Sequence, residues 1–211
     1  AMEIIRKKGQ AIAAKRSDRD AAEGCVLAKK DGGFAAVIAL KCETDFVAKN
    51  DSFMDFVKAC ANTIIEQNPA DVEALLTLKA TGSEQTIAEM LQEKVLTIGE
   101  NIQIRRFERM EGACVAYVHA GGKIGVLVNF DTDLAAKPEF VAYGKDVAMQ
   151  IAALRPQYTS RDEVSADYIE HEKEILMAQI QNDPKESQKP EKVIQGMIQG
   201  RINKELKEIC L

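Results

Sequence analysis

The chain has 211 residues, and its hydrophobic content of 46% is enough to bury a core, so disorder by composition is excluded. Its formal net charge is −5, which argues against a general nucleic-acid-binding protein. No apolar run is long enough to span a membrane, so we expect no membrane partner.

Residues 1–22 predict the end of a helix followed by a basic linker. Met2, Ile4 and Ile5 have the spacing of an amphipathic helix that Gly9 closes. The earlier turns of such a helix are absent, so we expect the sequence to be part of a longer one. Residues 1–19 contain six basic and two acidic residues and carry +4, which leaves −9 for the remainder.

Residues 23–100 predict a β-hairpin followed by helices. The run at residues 31–33 is Asp-Gly-Gly between two apolar stretches, which is a strong hairpin signal. A helix should end at residues 68–69 and a second one should begin near residues 81–84 and end at Gly99. The first helix shows one apolar face, formed by Phe53, Phe56, Val57, Cys60 and Ile64.

Residues 101–159 predict a second unit of the same kind. Residues 101–107 favour a strand that joins the two units, and a hairpin with strands at 113–119 and 123–130 should follow. The final helix should end near Pro156. Its apolar face is predicted to contain Phe140, Tyr143, Val147 and Ile151.

A sequence repeat supports this duplication. The run TDFVAK at residues 44–49 recurs as TDLAAK at residues 132–137, 88 positions later. Phe46 of the first copy is replaced by Leu134 in the second. Because Phe46 lies between an apolar strand and a charged helix start, it is either a core residue or a side chain directed at another molecule.

Residues 160–211 predict an antiparallel helical hairpin. The SRDE run at residues 160–163 resembles a capping box, and the proline-bracketed turn at residues 184–190 separates two helices. The second of these helices carries Ile194, Ile198, Ile202, Leu206 and Ile209. If the chain forms a homodimer, we expect this hairpin to mediate it.

The sequence lacks the local motifs of catalysis and cofactor binding. It has no glycine-rich phosphate loop, so we expect no direct nucleotide binding and no cofactor. His119 and His171 have no cysteine or histidine at metal-ligand spacing, so we expect no metal and no catalytic residues. The cysteine count is odd, without a CxxC motif, and predicts buried free thiols in a reducing compartment. The five are Cys25, Cys42, Cys60, Cys114 and Cys210.

Four blocks of sequence resemble the bacterial elongation factor Ts family. They are ETDFVAKN at residues 43–50, IGENIQIRR at 98–106, GKIGVLV at 122–128 and QGRINK at 199–204. The resemblance implies a cytoplasmic factor in translation elongation that is not an enzyme. It implies a guanine-nucleotide exchange factor that binds elongation factor Tu and releases GDP by displacing its magnesium ion. The implied fold is α+β, with duplicated antiparallel hairpin-plus-helix subdomains and a projecting antiparallel helical hairpin.

The resemblance also implies which residues contact the partner. Thr44, Asp45, Phe46 and Val47 match the segment that enters the G domain of elongation factor Tu, where the Phe acts as a wedge. Ile98, Gly99, His119 and Arg16 match further contacts. Relative to the family, an N-terminal helical domain and a C-terminal segment are expected to be missing.

The sequence leaves two other classes of function open. One is an RNA-binding or ribosome-associated module that would use the basic arm with Arg105, Arg106 and Arg109; the acidic remainder and the 5% aromatic content count against it. The other is a self-associating scaffold without exchange activity.

Overall fold

A computed structural model describes Ala11 and residues 14–211. The chain separates into two compact units, Ala1–Ala152 and Ala153–Leu211. The first unit contains strands and helices, and the second contains helices. The α+β class is therefore confirmed. The predicted helix end at Met2, Ile4, Ile5 and Gly9 lies outside the described residues. The division of residues 23–159 into two copies stays a prediction.

A three-stranded antiparallel sheet forms the centre of the first unit. Its strands are β1 (Glu23–Asp31), β2 (Phe34–Cys42) and β3 (Gln103–Glu111), in the order β1-β2-β3. The predicted Asp-Gly-Gly hairpin is confirmed, because Asp31 pairs with Phe34 across a two-residue turn. Gly32 has a φ of 57°, which few residues other than glycine adopt at low cost.

Four helices follow the hairpin: α1 (Asp45–Ala48), α2 (Asp51–Gln67), α3 (Val72–Thr77) and α4 (Ile87–Ile98). The predicted apolar face of α2 is confirmed, since all five of its residues are fully buried against β2 and the neighbouring helices. Asn68 ends α2 in the left-handed conformation, with a φ of 48°.

The predicted start of α4 near residues 81–84 was wrong. The helix begins three residues later, because Thr86 and Glu89 form a complete capping box. Glu84 instead pairs with Lys79 on the surface. The predicted end of α4 is confirmed at Gly99, which has a φ of 90°.

A second, two-stranded sheet packs against the first. It consists of β4 (Ala113–His119) and β5 (Ile124–Phe130) and is followed by α5 (Pro138–Leu154). Gly125 allows close approach, because a Cβ at this position would lie 2.2 Å from Val26 Cγ1 and 2.7 Å from Val37 Cγ2. Val37 alternates with the β2 residues that face α2, so the second sheet covers the opposite face of the first.

The expected apolar face of α5 was wrong at one position. Tyr143 is 62% exposed, whereas Gly144, Ala148 and Ala152 are buried. These small residues let α5 approach its sheet closely, and a Cβ on Gly144 would lie 2.6 Å from Val115 Cγ2.

The second unit is the predicted helical hairpin, formed by α6 (Ala166–Asn182) and α7 (Glu191–Ile209). The expected helix start at Ser160 was wrong, since residues Arg161–Glu163 form only a 3-10 turn. Glu163 accepts a hydrogen bond from the Thr159 N–H, and Ser165 caps α6. Self-association through this hairpin stays a prediction.

The hairpin has its own apolar seam and polar links. Ile180, Ile198 and Ile202 are buried between the helices. The Tyr168 hydroxyl donates to Glu205 at 2.6 Å, and this bond raises the pKa of Tyr168 to about 12. Arg201 pairs with Glu186 at 2.7 Å across the turn.

We expect Ile180→Ala to destabilise the hairpin by about 2–5 kcal/mol, because it leaves a cavity where the side chain is fully buried. The matched control is Ile175→Ala on the same helix, where the side chain is 38% exposed and the loss should stay below about 1 kcal/mol. Hydrogen exchange of the α6 and α7 amides measures both. Equal losses of stability for the two variants would contradict the burial of Ile180 between the helices.

Candidate partner-binding site

Residues 45–48 form the single helical turn α1 shortly after β2, and Thr44 precedes it as the cap. Thr44 caps α1, and its hydroxyl oxygen accepts a hydrogen bond from the Val47 N–H at 3.4 Å. Asn50 then caps α2 by accepting bonds from the N–H groups of Ser52 and Phe53. Two caps six residues apart therefore fix the path of the chain between sheet and helix.

The carboxylate of Glu100 holds this turn in place. It accepts hydrogen bonds from the Glu43 N–H at 2.9 Å and the Thr44 N–H at 3.1 Å. It also accepts a bond from the Thr44 hydroxyl at 2.6 Å. Bonds to a charged acceptor are the stronger class, so this carboxylate anchors the turn to the end of α4.

Glu43 makes the reverse connection. Its carboxylate accepts a hydrogen bond from the Asn101 N–H at 2.7 Å and lies 3.6 Å from the Arg19 guanidinium. The Asn101 side-chain amide donates to the carbonyl oxygens of Ser17 and Arg19. The segments at residues 17–19, 43–44 and 100–101 are thereby joined in one network, which we call the carboxylate clamp.

Phe46 is presented outward by this arrangement. Its side chain is 82% exposed, whereas Val47 and Ala48 pack against the core. Asp45 pairs with Lys49 at 3.0 Å, and the bond to Lys49 lowers the pKa of the Asp45 carboxyl. A core role for Phe46 is therefore excluded, and the exposed ring sits on a well-anchored turn.

Three more of the predicted contact residues lie beside the clamp. Gly99 ends α4, and Ile98 is half-buried against the core. The Arg16 guanidinium donates to the Val95 carbonyl oxygen in the last turn of α4. This cation satisfies a helix-end carbonyl, which is the position where a helix dipole favours positive charge.

His119 lies apart from the clamp, at the exposed end of β4. Its Nδ1 is 2.9 Å from the Tyr117 hydroxyl. The turn after it packs on β1, where the Val26 N–H donates to the Gly122 carbonyl at 2.6 Å. The structure thus brings Thr44–Val47, Ile98, Gly99 and Arg16 together and leaves His119 on a separate segment of the same unit.

The second copy of the motif does not reproduce this turn. Thr132 accepts a hydrogen bond from the Leu134 N–H, one residue too early for the helical cap that Thr44 forms. Leu134 is 43% exposed, about half the exposure of Phe46. At this position of the repeat, the first copy presents an aromatic ring and the second presents a less exposed leucine.

The rest of the described chain offers little for catalysis. All five cysteines are free and buried, as predicted. Burial raises the pKa of Cys25 to about 11 and that of Cys60 to about 12, so these thiols are poor nucleophiles. Within residues 14–211, no group of three or more acidic, histidine or cysteine side chains is arranged to hold a metal ion. No helix there is long and apolar enough to cross a membrane.

The sequence prediction missed the residues that build the clamp. Nothing local in the sequence indicates the roles of Glu43, Glu100 and Asn101, although they belong to the blocks 43–50 and 98–106. The available signal was that Glu43 begins one block and that Glu100 and Asn101 lie inside the other, with 47 residues between the two blocks. Only the fold shows that the end of β2 and the end of α4 meet.

Comparison with known proteins agrees with these blocks. Residues 43–211 match the family model described as Elongation factor TS. The chain is 44% identical to Elongation factor Ts of Syntrophotalea carbinolica and 43% identical to that of Clostridioides difficile, in both cases over the whole chain and 69% of the relative. It is 43% identical to Elongation factor Ts of Trichlorobacter lovleyi, over the whole chain and 70% of the relative. The chain belongs to the elongation factor Ts family.

Proposed function

We propose that this chain is a guanine-nucleotide exchange factor that binds elongation factor Tu and promotes release of GDP during translation elongation. The observation that carries the proposal is Phe46, an exposed ring on a turn fixed by the Glu100 carboxylate. Large exposed aromatic side chains on rigid segments are typical anchors of protein interfaces. Family membership supplies the partner and the process.

The proposed mechanism is displacement of the magnesium ion that links GDP to the G domain. Phe46 would wedge between partner side chains, with Thr44, Asp45 and Val47 beside it, and stabilise the form without magnesium and nucleotide. A ligand shifts such an equilibrium only by its difference in affinity for the two forms. No covalent bond is made or broken, so the factor is not an enzyme in the strict sense.

The remaining proposed contacts would extend this interface. Ile98, Gly99 and Arg16 lie next to the clamp and would bind the same partner together with the Phe46 turn. His119 would provide a second point of contact on the same unit. Neither nucleotide nor nucleic acid is proposed to bind directly, and the site of action would be the cytoplasm.

Phe46→Ala should slow GDP release from elongation factor Tu by on the order of 30-fold, since losing an aromatic anchor costs about 2 kcal/mol or more. The melting temperature should stay near that of the wild type, because the side chain is 82% exposed. Stopped-flow release of labelled GDP and a thermal scan measure the two quantities.

Leu134→Ala is the matched control for this substitution. It removes the corresponding exposed side chain of the second copy and should leave exchange unchanged. Normal exchange by Phe46→Ala would refute the wedge. Equal slowing by both variants would show that the effect is not specific to the first copy.

Glu100→Ala should slow exchange by roughly three- to tenfold, because the released turn must be ordered again when the partner binds. The same substitution in a Phe46→Ala background should have little further effect, since the clamp acts by placing that ring. The four rates of this double-mutant cycle give the coupling directly.

Glu93→Ala is the control for Glu100→Ala. Glu93 lies on α4 as well, but its carboxylate bonds to Gln85 rather than to the turn. It should leave the rate unchanged. If Glu100→Ala slows exchange equally with and without Phe46, the carboxylate acts independently of the ring and the positioning role fails.

A further inference from the structure

A groove lies between the outer face of the three-stranded sheet and the β4–β5 hairpin. It consists of two adjoining cavities of about 420 and 330 Å³, both lined by Val26, Ala39, Arg105 and Lys123. Volumes of this size fall in the range of binding clefts. Aliphatic side chains from β1, β2 and β5 form its walls, so the groove suits a ligand with apolar parts.

Four cations surround this groove: Lys41, Arg105, Arg106 and Lys123. Glu23 and Glu108 are the acidic residues in the lining, so positive charge is in excess. Among the residues that the structure describes, none of the four cations has a carboxylate within ion-pair distance. In a chain of net charge −5, this is a local concentration of unpaired positive charge.

Two cations of the groove are close in sequence to residues of the proposed interface. Lys41 precedes Thr44 by three residues at the end of β2, and Lys123 follows His119 by four residues at the β4–β5 turn. We therefore expect a partner that contacts Thr44 and His119 to reach these cations as well. We propose that the groove binds an acidic segment of elongation factor Tu that also carries aliphatic side chains, an inference that rests on the proposed function.

A protein segment fits this groove better than RNA does. Phe107 is the aromatic residue in the lining, and it packs against the core, so bases have no exposed ring on which to stack. Arg109 is turned away: its Nε donates to the Ile65 carbonyl oxygen, and its guanidinium lies 4.2 Å from the centre of the Phe34 ring. The basic surface expected for RNA from Arg105, Arg106 and Arg109 is thus divided.

The groove and Phe46 should affect different kinetic quantities. Charges at the margin of an interface mainly steer association and make it depend on salt. The wedge acts after docking, on the nucleotide site itself. Groove variants should therefore raise the concentration of factor needed for half-maximal exchange, while Phe46→Ala lowers the maximal rate.

The test uses the double variant Arg105→Gln/Lys123→Gln with elongation factor Tu as the probe. At about 50 mM salt, its association should be roughly three- to tenfold slower than wild type, and the difference should largely vanish at about 500 mM salt. The maximal exchange rate should not change. Arg105→Lys/Lys123→Arg keeps both charges and should restore association.

Lys145→Gln is a further control, since it removes an exposed cation of α5 outside the groove and should associate like the wild type. The proposed role of the groove would be overturned if the double variant associates at the normal rate at low salt. It would also be overturned if slower association persists at high salt. Groove-dependent binding of a single-stranded RNA oligonucleotide with normal association to elongation factor Tu would overturn it too. If the wild type neither binds that protein nor releases its GDP, the proposed function itself fails.

Discussion

The hydrogen bonds of the Glu43 and Glu100 carboxylates are the constraint on which the proposed site depends. Each carboxylate accepts backbone N–H groups from the segment that carries the other. The end of β2 and the end of α4 are therefore held together, although they are far apart in sequence. The single turn of α1 is too short to be stable alone, so its geometry comes from this clamp and from the packing of Val47 against the core.

This constraint explains how an apolar ring can stay in solvent on an ordered turn. Phe46 contributes little to the core because it is 82% exposed, whereas its neighbour Val47 packs inward. The fold is stabilised elsewhere, by the aliphatic and phenylalanine side chains buried between β2 and α2. The ring is therefore not needed for the stability of the fold. Its burial by a partner would contribute to the free energy of binding.

Local sequence signals predicted the elements whose cause is local. The β1–β2 turn is encoded by a glycine that adopts a positive φ, and α2 is encoded by its apolar face. Both elements could therefore be predicted from the sequence. The start of α4 was missed because Thr86 with Glu89 competes with the similar signals at Thr81 and Ser83. The short helix α3 has too few turns for a clear periodicity.

The candidate site divides in the same way. Thr44 and Phe46 could be identified through a resemblance carried by adjacent residues. Glu100 could not receive its role, because its bonds to Glu43 and Thr44 depend on tertiary folding. The burial on α5 also depends on tertiary packing, since Gly144 rather than Tyr143 faces the sheet, where a Cβ would lie 2.6 Å from Val115 Cγ2.

The most direct measurement is the release of labelled GDP from elongation factor Tu on adding this chain, over a range of free magnesium concentrations. Displacement of the ion predicts clear acceleration at low magnesium that weakens as magnesium rises, because ion and wedge favour opposite states. Acceleration that does not depend on magnesium would contradict the displacement mechanism. No acceleration at any concentration would contradict nucleotide exchange as the function of the Phe46 turn.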